Sequence, residues 1–266
     1  MPPPVATQPE PVVTRQAPTT TRPAPRTTTG PTTKPTTKPA TQTTAPRRTQ
    51  TATTTPRATT VQALPAPSPP STQPQTSCRS VAQIGDSLSV GLDSTSLGRD
   101  ARISARYAAV GVRELRNDAS GGRSVVETVN DQDSGEMVAR KLRKAGFHGC
   151  WVIALGTNDA ADVDAGSPYG YSERIDRMMA IIGDDPVLWV DVKTLRESGF
   201  YAAAHMRLFD QALAKAHARY PDLQVYAWSD DVADDWFLPD GIHYNAEGST
   251  HRASSLATAL ASAFPA

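Results

Sequence analysis

The sequence predicts an α/β domain built around a mainly parallel sheet, and three observations carry that prediction. From residue 78 onward, short runs of aromatic and β-branched residues alternate with stretches of helical period. The clearest of these runs end at a glycine or a polar turn, as strands feeding helices do, and such alternation implies a parallel sheet covered on both faces. The preceding 77 residues carry almost no large apolar side chains. The core must therefore come from the remaining stretch of about 190 residues, ample for one domain.

Residues 1–77 are dominated by Thr, Pro, Ala and Gln and hold 18 of the 23 prolines. This composition cannot bury enough apolar surface to offset the entropy of ordering. A disordered, locally polyproline-like linker is expected there, with the folded domain at 78–266. The formal net charge of zero conceals an asymmetry. The linker holds eight basic residues (Arg15, Arg22, Arg26, Lys34, Lys38, Arg47, Arg48 and Arg57) and one acid, Glu10, leaving the domain 19 basic and 26 acidic residues. A basic linker can lie against an anionic polymer such as a cell wall, or act as a solvated spacer held extended by its charges. Its basic residues are dispersed among Thr and Pro without aromatic partners, which argues against nucleic acid.

No segment approaches 18 consecutive apolar residues, so no membrane span is expected. Thr/Pro-rich tracts read as extracellular stalks, often O-glycosylated. The opening Met-Pro-Pro-Pro-Val nevertheless lacks the basic and apolar regions of a signal peptide. The two are reconciled if the chain is a piece of a longer protein, or starts at a misassigned position, with the export element upstream.

Within the domain, Val81–Ile84 is a short strand candidate ended by Gly85, and Trp151–Leu155 a stronger one ended by Gly156. Val187–Val192 and Leu223–Trp228 follow, and a further strand is expected between Ile103 and Leu115. Ile175, Met178, Met179 and Ile182 mark one face of a helix opened by Ser172 and Glu173 and closed by Gly183. Met206, Phe209, Leu213 and Ala216 mark a second helix, and Ala246 to Ala263 a third. The Ala-rich stripe of the last reads as core packing rather than a membrane-surface face.

Open parallel sheets bind ligands beyond the carboxyl ends of their strands. The polar residues there are Gly85-Asp86-Ser87-Leu88-Ser89, Gly156-Thr157-Asn158-Asp159 and, before the last helix, Pro239-Asp240-Gly241-Ile242-His243-Tyr244-Asn245. Between the first two lies Asn117-Asp118-Ala119-Ser120-Gly121-Gly122-Arg123-Ser124. Singly each is weak, since a Gly-Asp-Ser turn serves equally as a strand-to-helix turn with an N-cap. Their order and placement make the combination specific.

These blocks resemble those of the SGNH (GDSL-like) hydrolases: the Ser of GDS, a Gly of the second block, the Asn of GxND and the DxxH pair. The resemblance covers about Val81 to the end and none of the linker. It implies a flavodoxin-like three-layer α/β/α sandwich with a five-stranded sheet, and a serine esterase needing no metal or cofactor. Ser87 is the expected nucleophile, His243 the base that takes its proton, and Asp240 the acid that holds the imidazole. The backbone N–H groups of Ser87 and Gly122 and the side-chain amide of Asn158 are the expected oxyanion donors. Gly121 could stand in for Gly122. The Gly-x-Ser-x-Gly elbow of α/β-hydrolases is absent, because Ser89 stands two after Ser87. Ser124 lacks a matching set of partners.

The other histidines, His148, His205, His217 and His251, sit on or beside helical stretches without an orienting carboxylate block. Asp230, Asp231, Asp234 and Asp235 lack the spacing of a Ca²⁺ loop and read as a solvated acidic loop. Tyr169, Tyr171, Trp236, Phe237 and Tyr244 either shape a cleft or pack. In the family's strand order the strands after Cys78 and Cys150 are neighbours, so the resemblance implies a disulfide, and with it an oxidising, extracytoplasmic compartment; two reduced thiols that merely end up close are the alternative. With no insertion long enough for a lid, short acyl groups are favoured. The Thr/Pro linker, the implied disulfide and the blocks together are similar to exported actinobacterial domains, some of which act on O-acetylated glycans, and this makes an acylated cell-envelope saccharide the expected partner of a monomeric enzyme. An O-acyltransferase using the same triad, and a catalytically silent glycan-binding module, are the alternatives.

Overall fold

The computed structural model describes residues 74–266. The expectation of a disordered linker falls almost wholly outside those residues. Five strands form one sheet: β1 (Ser80–Gly85), β2 (Glu114–Ala119), β3 (Cys150–Ala154), β4 (Val187–Val190) and β5 (Leu223–Tyr226). All neighbouring strands are parallel and the order is β2-β1-β3-β4-β5. Between β1 and β3 the direction of winding reverses, which opens a crevice at their carboxyl ends.

Alternate residues of the buried strands face opposite sides, which divides the core in two. On one face, Ala82, Ile84, Trp151, Ile153 and Trp189 pack against α3 (Gly135–Lys144), α5 (Tyr171–Ile182) and α6 (Ala203–His217). On the other, Val81, Val152, Leu188 and Val190 pack against α2 (Ile103–Ala109) and α8 (Ala246–Ala263). The result is the expected three-layer α/β/α sandwich. Three short helices complete it: α1 (Ser87–Val90), α4 (Thr157–Asp164) and α7 (Trp228–Asp231). The one buried polar residue in β1, Gln83, accepts a hydrogen bond from the Tyr107 hydroxyl at 2.7 Å.

One element departs from the sequence reading. The stretch beginning at Ile103 is helix α2, and the strand expected between Ile103 and Leu115 lies later, as β2. Its sequence, Glu-Leu-Arg-Asn-Asp-Ala, has no apolar alternation because it is an edge strand with no fully buried residue. Pairing with β1, rather than side-chain burial, holds it in the sheet.

The described chain is already fastened to the domain before Cys78. Thr76 is fully buried, its N–H donates to Val110 O at 2.8 Å and its hydroxyl to Phe264 O at 2.8 Å. Cys78 and Cys150 form a disulfide across the amino-terminal ends of β1 and β3, with Cα atoms 5.7 Å apart. Among the described residues no helix is long and apolar enough to cross a membrane. The disulfide closes a loop of sequence separation 72, and constraining the unfolded chain in this way typically contributes about 2–5 kcal/mol. The Cys78→Ser/Cys150→Ser double variant should lose stability of that order in urea unfolding while keeping the native circular-dichroism spectrum.

Candidate active site

The first site residue follows directly from β1. Asp86 caps α1, its side chain accepting from the Leu88 N–H at 2.9 Å, and thereby places Ser87 at the first helical position. The Ser87 N–H consequently has no intrahelical acceptor and faces outward with the other orphan donors of a helix start. Gly85 is required by close approach: a Cβ there would lie 2.3 Å from Ser89 Oγ. Burial raises the Asp86 carboxyl from 3.8 to about 6, against the opposing effects of the Leu88 N–H bond and of Arg252 and His243.

The other half arrives from the opposite end of the domain. Residues 237–245 form a turn held at several points. Leu238 N–H donates to His243 O at 2.7 Å, Leu195 N–H to Gly241 O at 2.8 Å, and Asn245 caps α8 through the Gly248 N–H at 2.8 Å. Tyr244 is buried, accepting from Trp228 Nε1 at 2.8 Å, and the Arg252 guanidinium lies over both rings. This clamped turn aims His243 at Ser87.

His243 Nε2 stands 3.0 Å from Ser87 Oγ, and His243 Nδ1 stands 2.7 Å from Asp240 Oδ2. The second Asp240 oxygen accepts the backbone N–H groups of Ile242 at 2.9 Å and His243 at 3.0 Å. Desolvation works upward on the Asp240 carboxyl, but the His243 side-chain bond and these two backbone donors together outweigh it and hold the carboxyl below its ordinary value. It is therefore ionised at neutral pH and selects the tautomer with hydrogen on Nδ1. Nε2 is then left as an acceptor for the serine proton. Ser87 is thus brought into one hydrogen-bonded line with Asp240 and with His243, 156 positions away.

Asn158 is the second residue of α4, just beyond β3, the strand beside β1. Its Nδ2 donates to Arg123 O at 3.0 Å, and its Oδ1 accepts from the Tyr201 hydroxyl at 3.0 Å. One amide hydrogen remains free for another acceptor. In the loop after β2, Gly122 adopts φ +75°, which an L side chain resists, whereas Gly121 has ordinary backbone. That loop is fastened to β1, because Ser120 N–H and Arg123 Nη1 both donate to Gly85 O at 3.2 Å.

Several residues that hold the site were not singled out in the sequence. Arg123, almost fully buried, also donates to the Asp118 carbonyl and carboxylate at 2.8 Å, bridging the ends of β1 and β2. Arg174, fully buried, bonds Asp159 at 2.9 Å as well as Glu127, Ser167 and the Tyr169 carbonyl, tying α4 to α5. The Asp159 carboxylate in turn accepts the Val125 N–H at 2.9 Å. Nothing in the local sequence marks Tyr201, whose partner lies 43 positions away. Arg123 follows the glycine pair of the second block, but its partners Gly85 and Asp133 lie outside that block.

The decoys find other partners. Ser124 is buried and donates to Glu127. His205 and His148 pair with Asp164 and Asp185, His217 contacts Leu223 O, and His251 stacks on Trp236. Asp234 pairs with Lys193, and Asp231 accepts from Tyr226. Phe237 and Tyr244 are buried packing residues, and Tyr171 packs edge-on against Phe209.

No family model matches the chain, and no curated protein matches it significantly. Solved structures do. A carbohydrate acetylesterase from Sinorhizobium meliloti aligns at TM-score 0.56 and 20% identity over 70% of this chain and 100% of its own. An M. smegmatis aryl esterase aligns at 0.54 and 15% over 67% and 96%, respectively. The C-terminal catalytic domain of a Streptococcus pneumoniae peptidoglycan O-acetyltransferase aligns at 0.52 and 13% over 70% and 94%. At such identities these likenesses establish a common fold.

Burying the Asp86 carboxyl has a measurable consequence. With its value near 6 against 3.8 unfolded, the folded state favours the protonated form. Its contribution to stability is then greatest at low pH and falls as pH rises through about 6, by an amount on the order of 2–3 kcal/mol. Asp86→Asn keeps the capping oxygen and removes the ionisation. Urea unfolding should find this variant more stable than wild type at pH 8, with the difference vanishing near pH 4.

Proposed function

We propose that this chain is an SGNH-type serine esterase that hydrolyses carboxylic esters through an acyl-Ser87 intermediate. The observation that carries this reading is the line Ser87 Oγ, His243 Nε2, His243 Nδ1, Asp240 Oδ2, with links of 3.0 and 2.7 Å. Both links lie within the distances required of a nucleophile, its base and the group orienting that base.

In this mechanism Ser87 Oγ attacks the ester carbonyl as His243 Nε2 takes its proton. The imidazolium is stabilised by Asp240, which remains ionised. Negative charge gathers on the former carbonyl oxygen, where the N–H groups of Ser87 and Gly122 and the free hydrogen of Asn158 Nδ2 are the donors. Collapse expels the alcohol, which receives the proton from His243. Water, deprotonated by the same base, then releases the acid and restores Ser87.

A short acyl group, such as O-acetyl on a cell-envelope glycan, is the substrate we favour. Two things support it: Asp240 and His243 lie close to the surface with side chains 46% and 42% exposed, and among the fold neighbours is a carbohydrate acetylesterase. The disulfide supports an extracytoplasmic location. An O-acetyltransferase reading is favoured by the peptidoglycan O-acetyltransferase domain among the same neighbours. In that reading a sugar hydroxyl replaces water in the second half-reaction.

Hydrolysis of p-nitrophenyl esters of increasing chain length should be fastest for acetate. Ser87→Ala should lose at least about 10³-fold in kcat, and Asn158→Ala about 10²–10³-fold. A Ser87→Ala variant as active as wild type would mean that another group is the nucleophile, or that the domain is a silent glycan-binding module contaminated by another esterase. Product analysis with an added glycan acceptor separates hydrolysis from transfer.

A further inference from the structure

We propose that Tyr201 is a positioning residue that orients and polarises the Asn158 amide for the oxyanion; this rests on the oxyanion role of Asn158 proposed above. A primary amide has two hydrogens and one acceptor oxygen, and rotation by half a turn exchanges them. At position 158 two contacts remove that freedom. Nδ2 donates to the Arg123 carbonyl at 3.0 Å, so a flipped amide would set two acceptor oxygens against each other. Oδ1 receives the Tyr201 hydroxyl at 3.0 Å, which fixes it as the acceptor end of the amide and draws electron density away from Nδ2. The remaining N–H becomes both fixed in direction and a stronger donor, as cooperative hydrogen-bond chains require.

Tyr201 reaches Asn158 from the loop between β4 and α6, and that loop is itself well determined. Its own carbonyl accepts from the Thr194 hydroxyl at 2.7 Å, and Ala203 N–H donates to Arg196 O at 2.7 Å, closing the loop on itself. Near its start, Leu195 N–H donates to Gly241 O at 2.8 Å, between Asp240 and His243. One loop therefore touches both the turn that bears the base and the amide that would receive the negative charge. Burial first, then the nearby Asp162 and Asp86 carboxylates, raises the Tyr201 phenol, so the hydroxyl stays protonated and donates. The ring also packs against the core face shared with α6, a contact that phenylalanine preserves.

A double-mutant cycle on p-nitrophenyl acetate tests the assignment. Tyr201→Phe should lower kcat about 3- to 10-fold, the effect of one neutral hydrogen bond, with KM within twofold of wild type. In an Asn158→Ala background the same change should cost less than twofold. Replacing Tyr201 by a fluorotyrosine, which keeps ring and hydroxyl, should restore kcat. Wild-type kcat in Tyr201→Phe would overturn the proposal, as would a loss that persists undiminished on Asn158→Ala, or a fluorotyrosine enzyme no better than the phenylalanine one. If Asn158→Ala itself leaves kcat unchanged, the oxyanion role of Asn158 fails and this inference falls with it, a result distinguishable from the others by the first single variant.

Discussion

The reversal of winding between β1 and β3 is the constraint on which the rest of the site depends. In an all-parallel sheet every strand delivers its carboxyl end to the same edge, and helices leave from there. Because β1 and β3 are hydrogen-bonded neighbours whose helices depart differently, their first helical residues, Ser87 and Thr157, begin at one crevice. The nucleophile candidate and the amide candidate are thus neighbours through backbone pairing alone. At the opposite ends of the same two strands the disulfide joins Cys78 to Cys150. The pair is held covalently at one end and left open at the other.

Backbone pairing brings these segments near, but buried charge sets their relative positions. Arg123 donates to the last residue of β1 and the fifth of β2, while its own carbonyl accepts from Asn158. Arg174 does the same one layer out, linking Asp159, Glu127 and the Tyr169 carbonyl. Among these contacts the fully buried ion pair is Arg174–Asp159; such a pair contributes little net stability when compared with apolar packing, yet breaking it leaves an uncompensated charge. Their effect here is geometric: the loop after β2, the start of α4 and the end of β1 cannot shift independently.

Much of this arrangement was legible in the sequence. The inner strands β3 and β4 are continuous apolar runs because both faces of the sheet are covered there, β1 is interrupted by Gln83, and the edge strand β5 is marked by its Leu, Val and Tyr after a Pro-Asp turn. Ser87, Asp240 and His243 stood out as candidates only as a set, through the order of their blocks and the resemblance those blocks carry, and the fold brings the three within hydrogen-bonding reach. β2 was misplaced because an edge strand is held by pairing and need not alternate. Tyr201, Arg123 and Arg174 escaped notice for a related reason: each acts on partners set by tertiary structure, with no local spacing to betray them. Thr76 likewise carries no signal of burial, since tertiary contacts with Val110 and with the C-terminal residues Leu260 to Pro265 place it in the domain.

The site that results is a shallow one, with the imidazole and its carboxylate near solvent and the serine half-buried. This exposure is one of the observations on which the proposed short acyl substrate rests. The central claim is that Ser87 carries that acyl group. Rapid-quench intact-protein and peptide mass spectrometry during turnover of p-nitrophenyl acetate tests it most directly. The account predicts a single acetyl adduct on the peptide containing Ser87, formed before steady state and absent in Ser87→Ala. An adduct on another residue, or turnover with no adduct while Ser87→Ala remains active, would contradict it.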